Sequence, residues 1–306
     1  MTPAGTSPPH PPRAELEIVV GSIIISFSAV FVELSRVGPT ATGVYRNLFG
    51  TMALLVLALV RRDAIWAGWR SIRWPVIGGL CFAVDIYFWH RSIAYVGPGL
   101  ATILGNFQVF FMAAVGVLIF REPVTARLLV SVPLAVGGLF LLVGLNWSQF
   151  DAIYRRGVVF GIITAASYAA YLLCLRGSRR DDDRLPAVTN LAWATGVTTL
   201  LLVAAARVDG ESLRIPDSRT ALVLVAYGVF CQALGWIVIS RNLHRVDASR
   251  AALILLSQPT LTFAWDMLFF HRRTSWTEMA GALLAIVAIY QGGIRPGRAA
   301  PRSAQA

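Results

Sequence analysis

Apolar residues in this chain fall into ten runs of roughly 20 residues, separated by short connections carrying Gly, Pro, Arg and Asp. A helix rises about 1.5 Å per residue, so about 20 apolar residues cross a hydrocarbon core of roughly 30 Å. The runs predict spans at 17–34, 42–60, 74–95, 99–120 and 126–145, then at 157–175, 186–206, 221–240, 248–270 and 276–294. Helices are required because lipid cannot satisfy a free backbone amide. The polar-in, apolar-out alternation of an outer-membrane barrel is missing. The expected class is an all-α integral membrane protein of ten transmembrane helices.

Composition agrees: 56% of residues are hydrophobic, 14% are charged, and mean hydropathy is +0.64. A water-soluble chain of 306 residues would expose far more charge. The formal charge of +11 does not point to nucleic acid, because the arginines sit in short runs between apolar stretches. With the N-terminus in the cytoplasm, the inside segments hold clusters such as Arg61, Arg62, Arg70 and Arg73, or Arg176, Arg179, Arg180 and Arg184. The outside loops hold fewer, among them Arg36, Arg91, Arg155, Arg156 and Arg207. Ten spans then return the C-terminus to the cytoplasm. Trp66, Trp69, Trp74 and Trp147 flank the spans, as interfacial aromatic residues do. Residues 1–16 and 295–306 read as disordered cytoplasmic tails.

The chain repeats itself. An offset of 150 pairs Gly78 with Gly228, Cys81 with Cys231, Arg91 with Arg241, Ala101 with Ala251 and Gln108 with Gln258. Near span one a shift of 139 pairs Val19-Val20 with Val158-Val159 and Ser28 with Ser167. The expected layout is one five-helix unit at 17–145, an external connection at 146–156, and a second unit at 157–294. Five is odd, so the second unit enters the membrane from the opposite side. Inverted repeats of this kind are a hallmark of transporters.

The residues also resemble a known group, the EamA-type family of the drug/metabolite transporter superfamily. The resemblance lies in Gly78-Gly79, the aromatic run ending at Trp89, Ala101-Thr102-Ile103-Leu104, the Glu122-Pro123-Val124-Thr125 turn and Gly137-Gly138. The second half repeats it with Leu255-Leu256-Ser257-Gln258-Pro259 and Gly281. Arg272-Arg273 departs from it, standing where the family turn usually carries an acidic residue. Span one offers Ser26 and Ser28 where the related small multidrug resistance proteins have a glutamate. The resemblance implies a basket of ten helices around a cavity lined by spans one, three, four, six, eight and nine. It further implies export of amino acids, other metabolites or drugs.

Polar residues within spans must be accounted for, since a carboxylate at the bilayer centre costs about 2.5–3.5 kcal/mol. Asp85, midway along span three, is the principal candidate: a substrate-amine site or a proton-coupling acid, against a plain buried ion pair. Trp89 shares its helical face, and His90 stands close enough to relay a proton. Asn106, Gln108, Gln232 and Gln258 offer amide donors and acceptors for a polar ligand, or serve as interhelical glue. Tyr168, Tyr171 and Trp236 suit aromatic walls or plain packing. Arg46 reads as shallow enough to snorkel to the interface, with Glu33 pairing it or Arg36. Asp266 is expected to be neutralised by Arg272 or Arg273, and Glu122 to cap span five.

Cys81, Cys174 and Cys231 lie in apolar runs and read as small buried hydrophobes. Phosphate loops, HExxH, GxSxG and clustered metal ligands are missing, so neither an enzyme nor a cofactor is expected. The reading is a secondary transporter of the cytoplasmic membrane, a monomer or dimer in lipid, exporting a small-molecule substrate with or without protons. The alternatives are a non-transporting scaffold or sensor and an intramembrane enzyme acting on lipid.

Overall fold

The computed structural model describes residues 12–118, 126–139, 141, 151–181, 185–242, 257–271 and 275–293. Among them the regular structure is entirely helical. In chain order it comprises α1 (Pro12–Ser26), α2 (Ser28–Leu34), α3 (Pro39–Val60), α4 (Trp69–Val96), α5 (Pro98–Gly105), α6 (Gln108–Leu118) and α7 (Ala126–Leu139). It continues with α8 (Ala152–Asp181), α9 (Ala187–Val208), α10 (Ser218–Ala226), a π-helix (Tyr227–Gly235), α11 (Trp236–Asn242), α12 (Ser257–Phe270) and α13 (Trp276–Gly293). Among the described residues, six helical segments are long and apolar enough to cross a membrane: Ala14–Leu34, Pro39–Val60, Trp69–Val96, Ala152–Leu175, Ala187–Val208 and Ser218–Ile239. Residues 1–11 and 294–306, positions 146–150 of the expected connection, the Glu122 turn, Trp147 and Arg272-Arg273 lie outside the described residues. Two expectations are corrected by the rest: residues 12–16, read as part of a disordered tail, begin α1, and 152–156, read as part of the connection, begin α8.

The outside of the bundle is apolar. Leu59, Val60, Leu200, Leu222 and Leu283 are each more than 60% exposed, a surface suited to lipid and unsuited to water. Trp66 and Trp69 meet edge-to-face at 5.2 Å where α4 begins. Inside, α4 packs along α8 and α9, α3 lies against α9 and the π-helix, and α7 pairs with α13.

Among the described residues, three predicted spans are interrupted or irregular. Span one breaks at Phe27, and span four breaks at Asn106 and Phe107, where the amides turn back onto Thr102, Ile103 and Leu104. Span eight widens into the π-helix, a form that propensity does not announce and that often marks functional sites. Arg91, expected in an outside connection, sits within α4, which runs to Val96.

Carboxylates from late in the chain cap helices that lie early in it. Gly38, the N-cap of α3, has no side chain to offer, and Glu211 fills that role: its two oxygens accept from the amides of Thr40 at 3.2 Å and Ala41 at 2.9 Å. Asp266 accepts from the Gly99 amide in the first turn of α5, at 3.0 Å. That contact gives Asp266 a structural role; the two arginines expected to neutralise it are among the residues not described.

Candidate functional site

A glycine crossing sets the geometry of the site. A β-carbon at Gly228 would stand 2.6 Å from the Phe49 Cβ and 2.9 Å from the Arg46 carbonyl oxygen. One at Gly50 would stand 2.5 Å from the Gln232 Cγ. With no side chain on either side, α3 and the π-helix approach closely, as small residues allow between membrane helices. Arg46, one turn before Gly50, is thereby pressed against Tyr227 and Gln232.

Arg46 corrects the sequence reading. It does not reach the interface: it is 4% exposed and points into the bundle. Its Nε donates to Gln232 Oε1 at 2.8 Å, and its Nη1 donates to the Tyr227 hydroxyl at 2.9 Å. The guanidinium also lies over the rings of Tyr227 at 4.9 Å and of Phe82 and Trp89 at 5.7 Å. Aromatic faces and fixed acceptors replace the water that a snorkelling arginine would keep. Glu33 stays exposed, and Arg36 pairs instead with Asp217 at 3.6 Å.

Arg46 opens onto a cavity of about 90 Å³. From early in the chain the lining comprises Ile25, Ser28 and Ala29, then Arg46, then Phe82, Asp85, Ile86 and Trp89, then Thr102, Gly105 and Asn106. From late in the chain it comprises Thr164 and Tyr168, Trp236, and Gln258 with Thr262. The breaks at Phe27 and Asn106 adjoin it, and Trp236 sits directly after the π-helix. Irregular backbone is tolerated at membrane depth where it borders a protected polar space. Asp85 lies about halfway along the 28-residue α4, which spans roughly 42 Å.

The structure brings Asp85, Trp89, Asn106, Tyr168, Trp236 and Gln258 around this one cavity and leaves the other four candidates off its wall. His90 is fully buried behind it: Nδ1 contacts the Ile86 carbonyl at 2.8 Å and Nε2 lies 3.3 Å from the Tyr227 hydroxyl. If Nδ1–H donates to Ile86, Nε2 is free to accept from Tyr227, whose oxygen in turn accepts from Arg46. Tyr171 stacks on Phe82 with centroids 4.5 Å apart. Gln232 supports Arg46 from outside the lining, and Gln108 is half-buried elsewhere. Sequence reasoning missed Arg46, Thr102, Thr164 and Thr262 as lining residues, whereas helical spacing does put Phe82 on the face of Asp85. The signal that was available for Arg46 was its position on the same helical face as Gly50, one turn away.

At the helix ends, charges meet directly. Arg91 Nη2 lies 2.6 Å from Asp209 Oδ2 and 3.9 Å from Glu211 Oε2, with its guanidinium 3.6 Å above the Tyr87 ring. Tyr87 donates its hydroxyl proton to Asp209 at 3.2 Å. Asp217 caps α10 through the Thr220 amide at 2.7 Å, and that bond holds its carboxyl below the usual carboxylate range.

Comparison with known proteins accounts for a helical bundle around a cavity that mixes charged, polar and aromatic side chains. The model of the EamA-like transporter family matches residues 13–144 and again 155–291, so the chain belongs to that family and is a multi-pass membrane protein. Among its relatives is a probable amino-acid metabolite efflux pump of Salmonella typhimurium, 24% identical over 63% of this chain and 66% of that one. The Escherichia coli protein of the same description is 24% identical over the same shares. An uncharacterized transporter of Synechocystis is 24% identical over 72% of this chain and 66% of its own length. The chain thus spans just under two thirds of these relatives. A solved crystal structure shares the fold at a TM-score of 0.65 and 17% identity, covering 92% of this chain and 98% of that one.

Proposed function

We propose that this protein is a secondary transporter of the cytoplasmic membrane that exports small polar or amphipathic metabolites, or drugs, by alternating access. The observation that carries the reading is the cavity near mid-span, lined from both stretches that match the family and holding two buried charges. A charge at that depth is expensive in a protein with no use for it. The relatives described as efflux pumps support the direction and the solute class.

In this reading the two family matches are inverted five-helix units, and both chain ends lie in the cytoplasm. Rocking one unit against the other exposes the cavity alternately to each side. The substrate touches Asp85, Trp89, Asn106, Tyr168, Trp236 and Gln258. His90, Tyr171 and Gln232 act through Tyr227, Phe82 and Arg46, which they contact, and Gln108 stands apart from the cavity.

Untargeted comparison of excreted metabolites with and without the gene identifies the solutes. Their flux is then measured in liposomes holding the purified protein. Saturable flux that Asp85→Asn reduces at least about tenfold, with folding intact, is the expected result. A protein that moves none of the solutes its gene affects, and that co-purifies with a partner, sinks the transport reading in favour of a scaffold.

A further inference from the structure

Two opposite charges face the same cavity and do not meet. Arg46 and Asp85 both line it, yet among the described residues they form no ion pair within 4.0 Å. Opposite charges in a low-dielectric interior attract strongly, so something must keep them apart. The restraint is visible on the arginine side. Gln232 Oε1 and the Tyr227 oxygen hold Nε and Nη1, and three aromatic rings flank the guanidinium. The Gly50–Gly228 crossing fixes the helix that supplies both anchors.

The anchors leave the working groups free. A guanidinium has five N–H donors, and two are spoken for. The Asp85 carboxylate is 6% exposed and accepts no hydrogen bond among the described residues. The Trp236 indole nitrogen and the Gln232 amide nitrogen are buried without a partner. Unused donors therefore stand on Arg46, on Gln232 beside it and on Trp236 of the same cavity wall, and an unused acceptor stands at Asp85. A buried charge whose partner is missing is costly, commonly by more than a good ion pair returns.

Resting on the transport reading, we propose that Arg46 sets specificity: it takes the carboxylate of a solute whose amine Asp85 takes. The planar fork of arginine matches a carboxylate in two parallel hydrogen bonds. The solute completes the ion pair that the protein withholds from itself. A solute with one charged head satisfies one residue and leaves the other buried and uncompensated. The cavity therefore selects small zwitterions with an apolar or aromatic side group, which Phe82, Trp89 and Tyr168 flank, over amines or acids of the same shape.

Matched triads test this on the purified full-length protein. Phenylalanine, phenethylamine and 3-phenylpropanoate share a ring and differ in head group; leucine, 3-methylbutylamine and 4-methylpentanoate do the same with a branched chain. Binding is read from thermal unfolding at graded ligand concentration, and transport from counterflow in liposomes. The expected result is that one or both zwitterions bind at least about tenfold more tightly than their single-headed partners. Arg46→Gln should erase that preference by weakening the zwitterion, leaving the amine unchanged or tighter. Asp85→Asn should favour the acid in the same way. An amine that binds as well as its zwitterion overturns the proposal, as does an Arg46→Gln protein with full zwitterion affinity, or six ligands that all fail to bind. Should Arg46→Gln not fold, the wild-type triads decide alone. Zwitterion preference without counterflow removes the transport reading and leaves this recognition standing; counterflow with no head-group preference does the reverse.

Discussion

Two of the charged groups in this bundle are built on opposite principles. At the helix ends Arg91 is paired directly with Asp209 at 2.6 Å, with Glu211 and Tyr87 completing the cluster. In the cavity Arg46 and Asp85 are each buried, each desolvated, and kept from each other. Paired charges with satisfied hydrogen bonds do structural work, here tying the end of α4 to the end of α9 and the start of α3. Unpaired charges give up stability, and the molecule recovers the cost when something else arrives to pair them. On the proposal above, the difference separates a clasp from a binding site.

The largest effect on stability should come from breaking the clasp. Arg91→Ala leaves two carboxylates side by side and should cost about 1–3 kcal/mol in denaturant unfolding of the detergent-solubilised protein. Asp85→Asn in the cavity should stay within about 1 kcal/mol of wild type, because its carboxylate gives up no hydrogen bond. Equal losses at the two sites would erase the distinction.

Releasing Arg46 while keeping its charge is the sharper variant. Gln232→Leu removes the acceptor at Nε, so the guanidinium should swing onto Asp85 and close the gap. Zwitterion affinity should then fall about tenfold, or roughly 1.4 kcal/mol, with both charges still present. Unchanged affinity in titrations would show that the anchor positions nothing.

Glu211→Gln tests the capping half of the clasp. The amide keeps an acceptor for the start of α3 and loses the charge that favours a helix N-terminus, so a loss of about 0.3–1 kcal/mol is expected. Asp217→Asn should matter least. A carboxyl held below its ordinary range contributes stability above that range and loses it as pH falls through the folded value. The wild-type advantage over Asp217→Asn should therefore be present at neutral pH and shrink as pH drops below about 4, read as the difference in melting temperature.

Much of this was legible in the sequence, and the omissions have physical causes. The long helices follow from run length alone, since hydropathy over 20 residues survives local irregularity. Asp85 was legible because a carboxylate in an apolar run must face a cavity, find a partner or hold a proton. Arg46 was not, because a long side chain near a span end can turn either way. Its direction is set by the close approach at Gly50 and Gly228, a contact far apart in sequence. The breaks at Phe27 and Asn106 and the widening after Ala226 likewise carry no periodic signature. Asp266 reaches the Gly99 amide of a distant helix, a contact that no spacing along the chain signals.

The account turns on a gap between two buried charges that a solute fills. A structure of the protein with leucine bound tests this most directly. The prediction is a solute lying between Arg46 and Asp85, its carboxylate on the guanidinium and its ammonium on the aspartate, with Gln232 and Tyr227 still holding Arg46. An Arg46–Asp85 ion pair with leucine elsewhere, or with none bound at saturating concentration, would contradict it.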